Sequence, residues 1–217
     1  MRRVPWMLVA VAAVLAAGRP PARAQALADP VLGKAVNVRV VAGTVRVRNR
    51  GSSKVVELGS ARRISVGSTV DTRLGTVELT SAAGNNGSTQ SGRVSDGVFV
   101  VSQSESNPLT VLSLRGGHLA SCPTQASGAA DRVHHRRLSV RVHGLFRTRG
   151  RNGAATARGT TWTMKDSCSG TLTVVHRGTV DVRDFAKHST VAVPAGRSYT
   201  ARPAGAQTSH TDAAGGT

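Results

Sequence analysis

Apolar and polar side chains alternate along most of this chain. Valines stand at positions 36, 38 and 40 and again at 45 and 47, with polar or charged residues between them and Gly43 between the two runs. Successive side chains of a β-strand point to opposite faces of the sheet, so a period of two predicts a half-buried pair of strands here. Similar short segments, separated by glycine, proline and asparagine, continue to Arg202.

The chain therefore resolves into many short strands. Further strands are predicted at 55–58, 64–70, 76–80, 98–101, 109–114, 138–146, 154–164, 172–175, 180–182 and 191–193. Aromatic residues make up only 3% of the chain, so valine, leucine and alanine are expected to form the core. Short strands at this spacing are typical of an all-β single domain of antiparallel strands, arranged as a sandwich, barrel or short β-roll.

Residues 1–26 have the order of a secretory signal peptide. Two arginines precede a short apolar run at 4–17, and small residues at alternate positions end at Ala24 or Ala26. The run is too short to span the roughly 30 Å hydrocarbon core of a membrane, although a retained anchor is the alternative. We therefore expect an exported protein, extracellular or associated with the envelope. A linker at 27–35, a β-domain at 36–202 and a disordered tail at 203–217 are expected to follow, with no transmembrane segment.

The chain has two cysteines, Cys122 and Cys168. An even pair in an exported chain favours a disulfide, because the extracytoplasmic compartments are oxidising. Such a bond stabilises a chain of this loop length by about 4 kcal/mol. A reactive thiol and a metal ligand are the alternative roles.

Three segments resemble the FecR-like domain family. The first is Gly43-Thr44-Val45 with the stretch at 64–79, the second is 148–162 with its Arg-Gly-Thr-Thr-Trp, and the third is 172–196. The resemblance covers roughly 36–202, with a divergent insert at about 81–144, and implies an all-β extracytoplasmic domain. Founding members relay iron-siderophore status through a membrane helix and a cytoplasmic segment. Neither is identifiable here, so that relay role is not carried over.

The net charge of +18 has two interpretations. One is attraction to a polyanion such as a wall polymer, an acidic lipid surface or nucleic acid. The other is a GC-rich genome, because the basic residues are nearly all arginine. Side chains that stack on bases are scarce, which disfavours a specific nucleic-acid partner.

One basic segment is the candidate binding face. Arg147, Arg149 and Arg151 follow one another with a period of two, which predicts that they share one side of a continuing strand. Arg158 and Trp162 flank the Gly-Thr-Thr of the second FecR-like segment and complete the candidate set. The alternative is the solvated side of a strand.

No constellation for catalysis, cofactor or metal binding is predicted. Asp71-Thr72 is followed by Arg73 where an aspartic protease needs glycine, and His134-His135 are adjacent residues that would point apart in a strand. The favoured hypothesis is a non-catalytic secreted domain that binds or organises an anionic envelope polymer through an electropositive face. The alternative, which the FecR resemblance implies, is a sensory or regulatory module that recognises a surface protein, for instance by strand addition.

Overall fold

A computed structural model describes residues 27–119, 122 and 135–205. This part of the chain forms fifteen strands. Their bounds are β1 Ala35–Arg48, β2 Val55–Glu57, β3 Ala61–Ser65, β4 Thr69–Ala82, β5 Thr89–Ser95, β6 Val98–Ser102, β7 Thr110–Arg115, β8 His135–His143, β9 Leu145–Arg149, β10 Gly153–Arg158, β11 Thr161–Ser167, β12 Gly170–Arg177, β13 Thr179–Asp184, β14 Ser189–Pro194 and β15 Ser198–Ala201.

The strands form one large sheet that is nearly closed into a barrel. The main order is β14-β13-β10-β9-β7-β6-β4-β5-β8-β11-β12-β15, and β1 pairs with β2, β3 and β4. The predicted all-β class of short antiparallel strands is confirmed. One pair, β7 with β9, is parallel. The strand between them in sequence, β8, does not pair with either of them but lies between β5 and β11.

The first long strand differs from the predicted pair of strands. β1 is continuous and lies antiparallel to β4 along most of its length, with Gly43 opposite Gly75. A Cβ on either glycine would overlap the backbone of the facing strand, and Gly43 has a φ of +65°. The two glycines thus allow β1 and β4 to bend together at this point, so that β1 continues as one strand instead of reversing in a turn. β6 pairs with the beginning of β4 and β5 with its end.

The core consists mainly of inward-pointing valine and leucine, as composition predicts. Its largest fully buried side chains are Trp162, Phe99 and Phe146. The indole nitrogen Nε1 of Trp162 donates a hydrogen bond of 2.9 Å to the hydroxyl Oγ1 of Thr148. The single polar atom of this buried ring is therefore satisfied inside the barrel.

A charged network, the acidic plug, lies at one end of the core. The fully buried carboxylate of Asp166 pairs with Arg136, whose Nη2 lies 2.6 Å from Oδ2, and accepts the backbone N–H of Arg151 at 2.8 Å. The hydroxyl of Thr171 donates to the second carboxylate oxygen. A Cβ on Gly150 would crowd both Thr171 and Asp166, so a glycine is required beside the plug.

A neutral network, the amide plug, lies at the opposite end of β8. The side-chain amide of Gln90 donates to the hydroxyl of Thr110 at 3.0 Å and accepts the backbone N–H of Leu145 at 2.8 Å. Gln103 donates to the carbonyl oxygen of Pro108 at 2.9 Å. The buried amides of Gln90 and Gln103 keep their hydrogen bonds, so this end of the apolar core also finishes in a hydrogen-bonded polar network.

The predicted disulfide between Cys122 and Cys168 is confirmed. The two Cα atoms lie 5.4 Å apart, and 46 positions separate the residues in sequence. Cys168 lies in the turn between β11 and β12, next to the acidic plug. The bond therefore fastens the connection between β7 and β8 to the sheet.

The stretch at 81–144, which the family resemblance sets apart, is integral to the sheet. It contains β5, β6, β7 and β8, which lie in the middle of the strand order. β1 begins at Ala35, where the predicted linker ends. The predicted signal peptide and most of the predicted tail lie outside the described residues. Within the described part of the chain, no helix has the length and apolarity needed to cross a membrane.

Candidate functional site

The structure separates the five residues predicted to form a binding face. Trp162 has no exposed surface, so its indole cannot contact a ligand at the exterior. β9 ends at Arg149, and Arg151 lies in the turn that follows rather than on the same strand side as expected. The strand ends there because the Arg151 N–H donates to Asp166, and the Arg151 guanidinium donates to the carbonyl oxygen of Leu119 at 2.8 Å.

The other three predicted arginines remain at the surface, and two of them have partners within the molecule. Arg147 donates from Nε to the hydroxyl of Thr156 at 2.7 Å. The guanidinium of Arg149 lies 5.0 Å from the ring centroid of Phe185, a cation–π contact. Arg158 is exposed at the end of β10. Because Arg158 lies opposite Leu145 in the pairing of β10 with β9, it shares the outer face of these strands with Arg147 and Arg149.

A second basic surface crosses four strands on the outside of the sheet. Arg93 of β5 lies directly opposite Arg141 of β8, which lies opposite Thr161 of β11, which in turn lies opposite Arg177 of β12. We call these four residues the arginine row. Neighbouring strands are about 4.8 Å apart, so the row spans about 14 Å, perpendicular to the strands.

Buried and exposed side chains alternate along each of these strands, and this alternation places the arginine row on the outer face of the sheet. On β8, Arg141 is flanked by Val140 and Val142, both buried in the core. Thr161 precedes the buried Trp162, and a bulge in the pairing of β11 with β12 leaves both His176 and Arg177 exposed. The buried neighbours therefore hold the row on the opposite face, in solvent.

Within the described residues, the arginines of the row form no ion pair. The described residues form four ion pairs, Arg39–Glu78, Arg73–Asp71, Arg136–Asp166 and Arg137–Asp96, and none includes the row. Glu78 lies opposite Arg93 on β4, but it is paired with Arg39. Like charges directly opposite each other destabilise a sheet, and the neighbouring Glu78 carries one negative charge beside Arg39, Arg93 and Arg141 together.

Hydroxyl and imidazole groups flank the row. Ser139, Thr163 and His176 form a hydrogen-bonded series, with 3.1 Å between the two hydroxyl oxygens and 3.0 Å from the Thr163 oxygen to His176 Nε2. Surface cavities of 420 and 360 Å³ share Arg141, and neither is lined by a carboxylate. A smaller cavity of 230 Å³ is lined by Arg93, Arg141 and the carboxylate of Glu78. This surface offers many donors and positive charge, which suits an anionic ligand.

Asp71, the carboxylate considered for catalysis, is paired with the neighbouring Arg73. The hydrogen bond from the Arg73 side chain is the main cause that lowers the pKa of Asp71, which lies beside Thr44 and Leu74 in a separate groove. A carboxylate held ionised by its neighbour is poorly suited to general acid catalysis. Among the described residues, no three histidine, cysteine, aspartate or glutamate side chains are grouped to hold a metal ion. His134 lies outside the described residues.

Comparison with known proteins adds no identification. No family model, no curated protein and no solved structure matches this chain. The sequence alone does not reveal the arginine row, because the period of two relates positions within one strand, whereas the row joins four strands. The available signal was a single arginine between buried valines in several separate strands.

Proposed function

We propose that this protein is a non-catalytic, exported β-domain that binds an anionic polymer of the cell envelope through the arginine row. The observation that carries the proposal is the position of Arg93 directly opposite Arg141, with Arg177 on the same line and none of the three in an ion pair within the described part of the chain. Guanidinium groups bind phosphate and carboxylate through paired hydrogen bonds. An anionic ligand would supply counter-charge beyond that of the neighbouring Glu78, which is already paired with Arg39.

The filled interior of the sheet favours binding at its outer surface. The core is filled by side chains, and the acidic and amide plugs occupy its two ends. A polymer can engage several exposed cations at once, so that weak individual contacts add together. The disulfide agrees with the export that the N-terminal sequence predicts.

Co-sedimentation with isolated cell envelopes tests the proposal. The mature chain (residues 27–217) is expected to bind at low salt and to be released steeply between about 50 and 200 mM salt. Arg93→Glu and Arg141→Glu should each lose most of the binding. Arg115→Glu makes the same charge change at an exposed position on β7, separated from β5 by β6 and β4, and should retain binding.

Two results would count against the proposal. Absence of binding at low salt would leave the charge without a function at the envelope. Equal losses in Arg115→Glu and Arg141→Glu would show that only net charge matters. The Arg147→Glu/Arg149→Glu pair tests the face predicted from sequence, and we expect a smaller loss there because both side chains have internal partners.

One observation favours the alternative role as a sensory or regulatory module. β14 stands at the end of the strand order, pairs with β13 alone and carries no charged residue in Ser189–Pro194. An uncharged open edge can accept a strand from a partner protein. Such backbone pairing weakens little with salt, so partner capture that persists at high salt would support this role instead of polymer binding.

A further inference from the structure

We infer that the ligand of the arginine row is a linear phosphate-bearing polymer that crosses the strands, with one phosphate between Arg93 and Arg141 and a second anionic group between Arg141 and Arg177. The inference rests on the proposed function and specifies the ligand class and its direction. It follows from the spacing of the three guanidinium groups, the two cavities that separate them and the positions of the nearest carboxylates.

The pair of facing arginines suits a phosphate. Directly opposed residues of an antiparallel pair have Cβ atoms about 5 Å apart, so the guanidinium groups of Arg93 and Arg141 can converge on one anion. A planar carboxylate has two oxygens, which one arginine already engages in a bidentate pair. The tetrahedral oxygens of a phosphate point in different directions and can serve two arginines from two strands.

The cavities divide the row into two subsites that share Arg141. The 420 Å³ cavity is lined by Arg93 and Arg141 together with the hydroxyl groups of Ser139 and Thr163. The 360 Å³ cavity is lined by Arg141 and Arg177. Anionic groups placed in both would lie several ångströms apart along the row, which is the spacing of a repeating polymer and not of a single small anion.

The charges also set the direction of the polymer. Along β8, the next outward arginine is Arg137, whose Nε lies 4.0 Å from the Asp96 carboxylate, so a polyanion following the strand would meet a negative group. Beyond Arg93, the row ends at Glu78 of β4. The path from Arg93 to Arg177 has no carboxylate in either of its larger cavities. The polymer therefore crosses the strands and leaves on the side of β12.

Calorimetric titration with inorganic phosphates of two lengths tests this geometry. Arg93→Gln and Arg141→Gln should each weaken tripolyphosphate binding about ten- to a hundredfold, since each removes hydrogen bonds to a charged group. The double variant should lose less than the product of the two single losses, because both side chains contact one phosphate. Arg177→Gln should weaken the binding of a longer polyphosphate chain more than it weakens tripolyphosphate binding. Arg115→Gln is the matched control.

The outcomes separate this inference from the proposed function. Poly-glutamate at equal charge should bind at least tenfold more weakly than the longer polyphosphate, and equal binding would overturn the phosphate assignment while envelope binding stands. Unchanged binding of the longer chain to Arg177→Gln would overturn the crossing direction. Failure of the unmodified chain to sediment with envelopes at low salt would overturn the proposed function itself, whatever the phosphates do.

Discussion

Replacing Asp166 with alanine removes the centre of the acidic plug. The change leaves the Arg136 guanidinium, whose side chain is only 17% exposed, without its counter-ion. It also leaves the Arg151 backbone N–H and the Thr171 hydroxyl without the acceptor they share. Breaking a buried ion pair costs about 3–5 kcal/mol, and each orphaned group adds to the cost. We expect a loss of at least about 4 kcal/mol in the free energy of unfolding.

Urea unfolding at neutral pH, with the disulfide intact, measures this loss. The midpoint should fall while the slope stays constant, because the amount of surface exposed on unfolding is unchanged. The same loss should lower the melting temperature by about 10 °C, since a domain of this size shifts by roughly 2–4 °C per kcal/mol. Asp166→Asn separates the contribution of the negative charge to stability from that of side-chain shape. It keeps one acceptor oxygen but leaves the charge of Arg136 without a counter-ion.

The double variant Arg136→Met/Asp166→Leu distinguishes pairing from packing. Replacing both members of a buried pair by apolar residues is often far less costly than removing one, so the double variant should recover much of the stability lost in Asp166→Ala. A loss below about 1 kcal/mol in Asp166→Ala would refute the reasoning, because it would mean that Arg136 is solvated without Asp166. Equal losses in the single and double variants would also contradict it.

Three further predictions concern the fold. Gly43→Ala should cost about 2 kcal/mol or more in urea unfolding, because its φ is +65° and its Cβ would overlap Leu74, whereas Gly51→Ala, at φ +75° in open space, should cost about 1 kcal/mol. Burial, and then the hydrogen bond to Asp184, raise the pKa of Tyr199 above 10.0, so this only tyrosine should ionise at higher pH in the folded chain than in denaturant. Because the pKa is higher in the folded chain, the protonated Tyr199 contributes stability that is fully present below about pH 10 and is lost as the pH rises through the folded-state pKa. A titration midpoint in the folded chain equal to or lower than that in denaturant would contradict this. Reduction of Cys122–Cys168 should lower the free energy of unfolding by about 4 kcal/mol, and an unchanged melting curve would show that the closed loop adds no constraint.

Local patterns in the sequence predict much of the fold. The strands around Val140, Val180 and Val191 follow from alternation, and the disulfide follows from counting cysteines in a chain whose N-terminal sequence predicts export. The alternation of apolar and polar residues is interrupted at Gly43. In the sequence, a tight turn between two strands and a bend within one strand give the same interruption. Only the position of Gly75 on the facing strand decides between these, and that pairing joins residues far apart in sequence.

The candidate site was harder to predict for the same reason. Each strand shows which of its own residues face outward, and Thr161-Trp162-Thr163-Met164 by itself indicates that Trp162 points inward. Grouping Arg93 with Arg141 requires the pairing of β5 with β8, which are separated by β6, β7 and a long connection. Arginines on one segment, such as Arg147 and Arg149, are visible in sequence, but their internal partners are not.

The shared bend of β1 and β4 has a consequence for folding kinetics. β4 pairs with β1, β5 and β6, and β5, β6, β8 and β9 each have a partner distant in sequence, so the middle of the sheet cannot form from local hairpins alone. Chains dominated by such non-local contacts fold slowly and tend to do so in one cooperative step. A newly made chain should therefore remain open to proteases until β15, near its end, has joined β12.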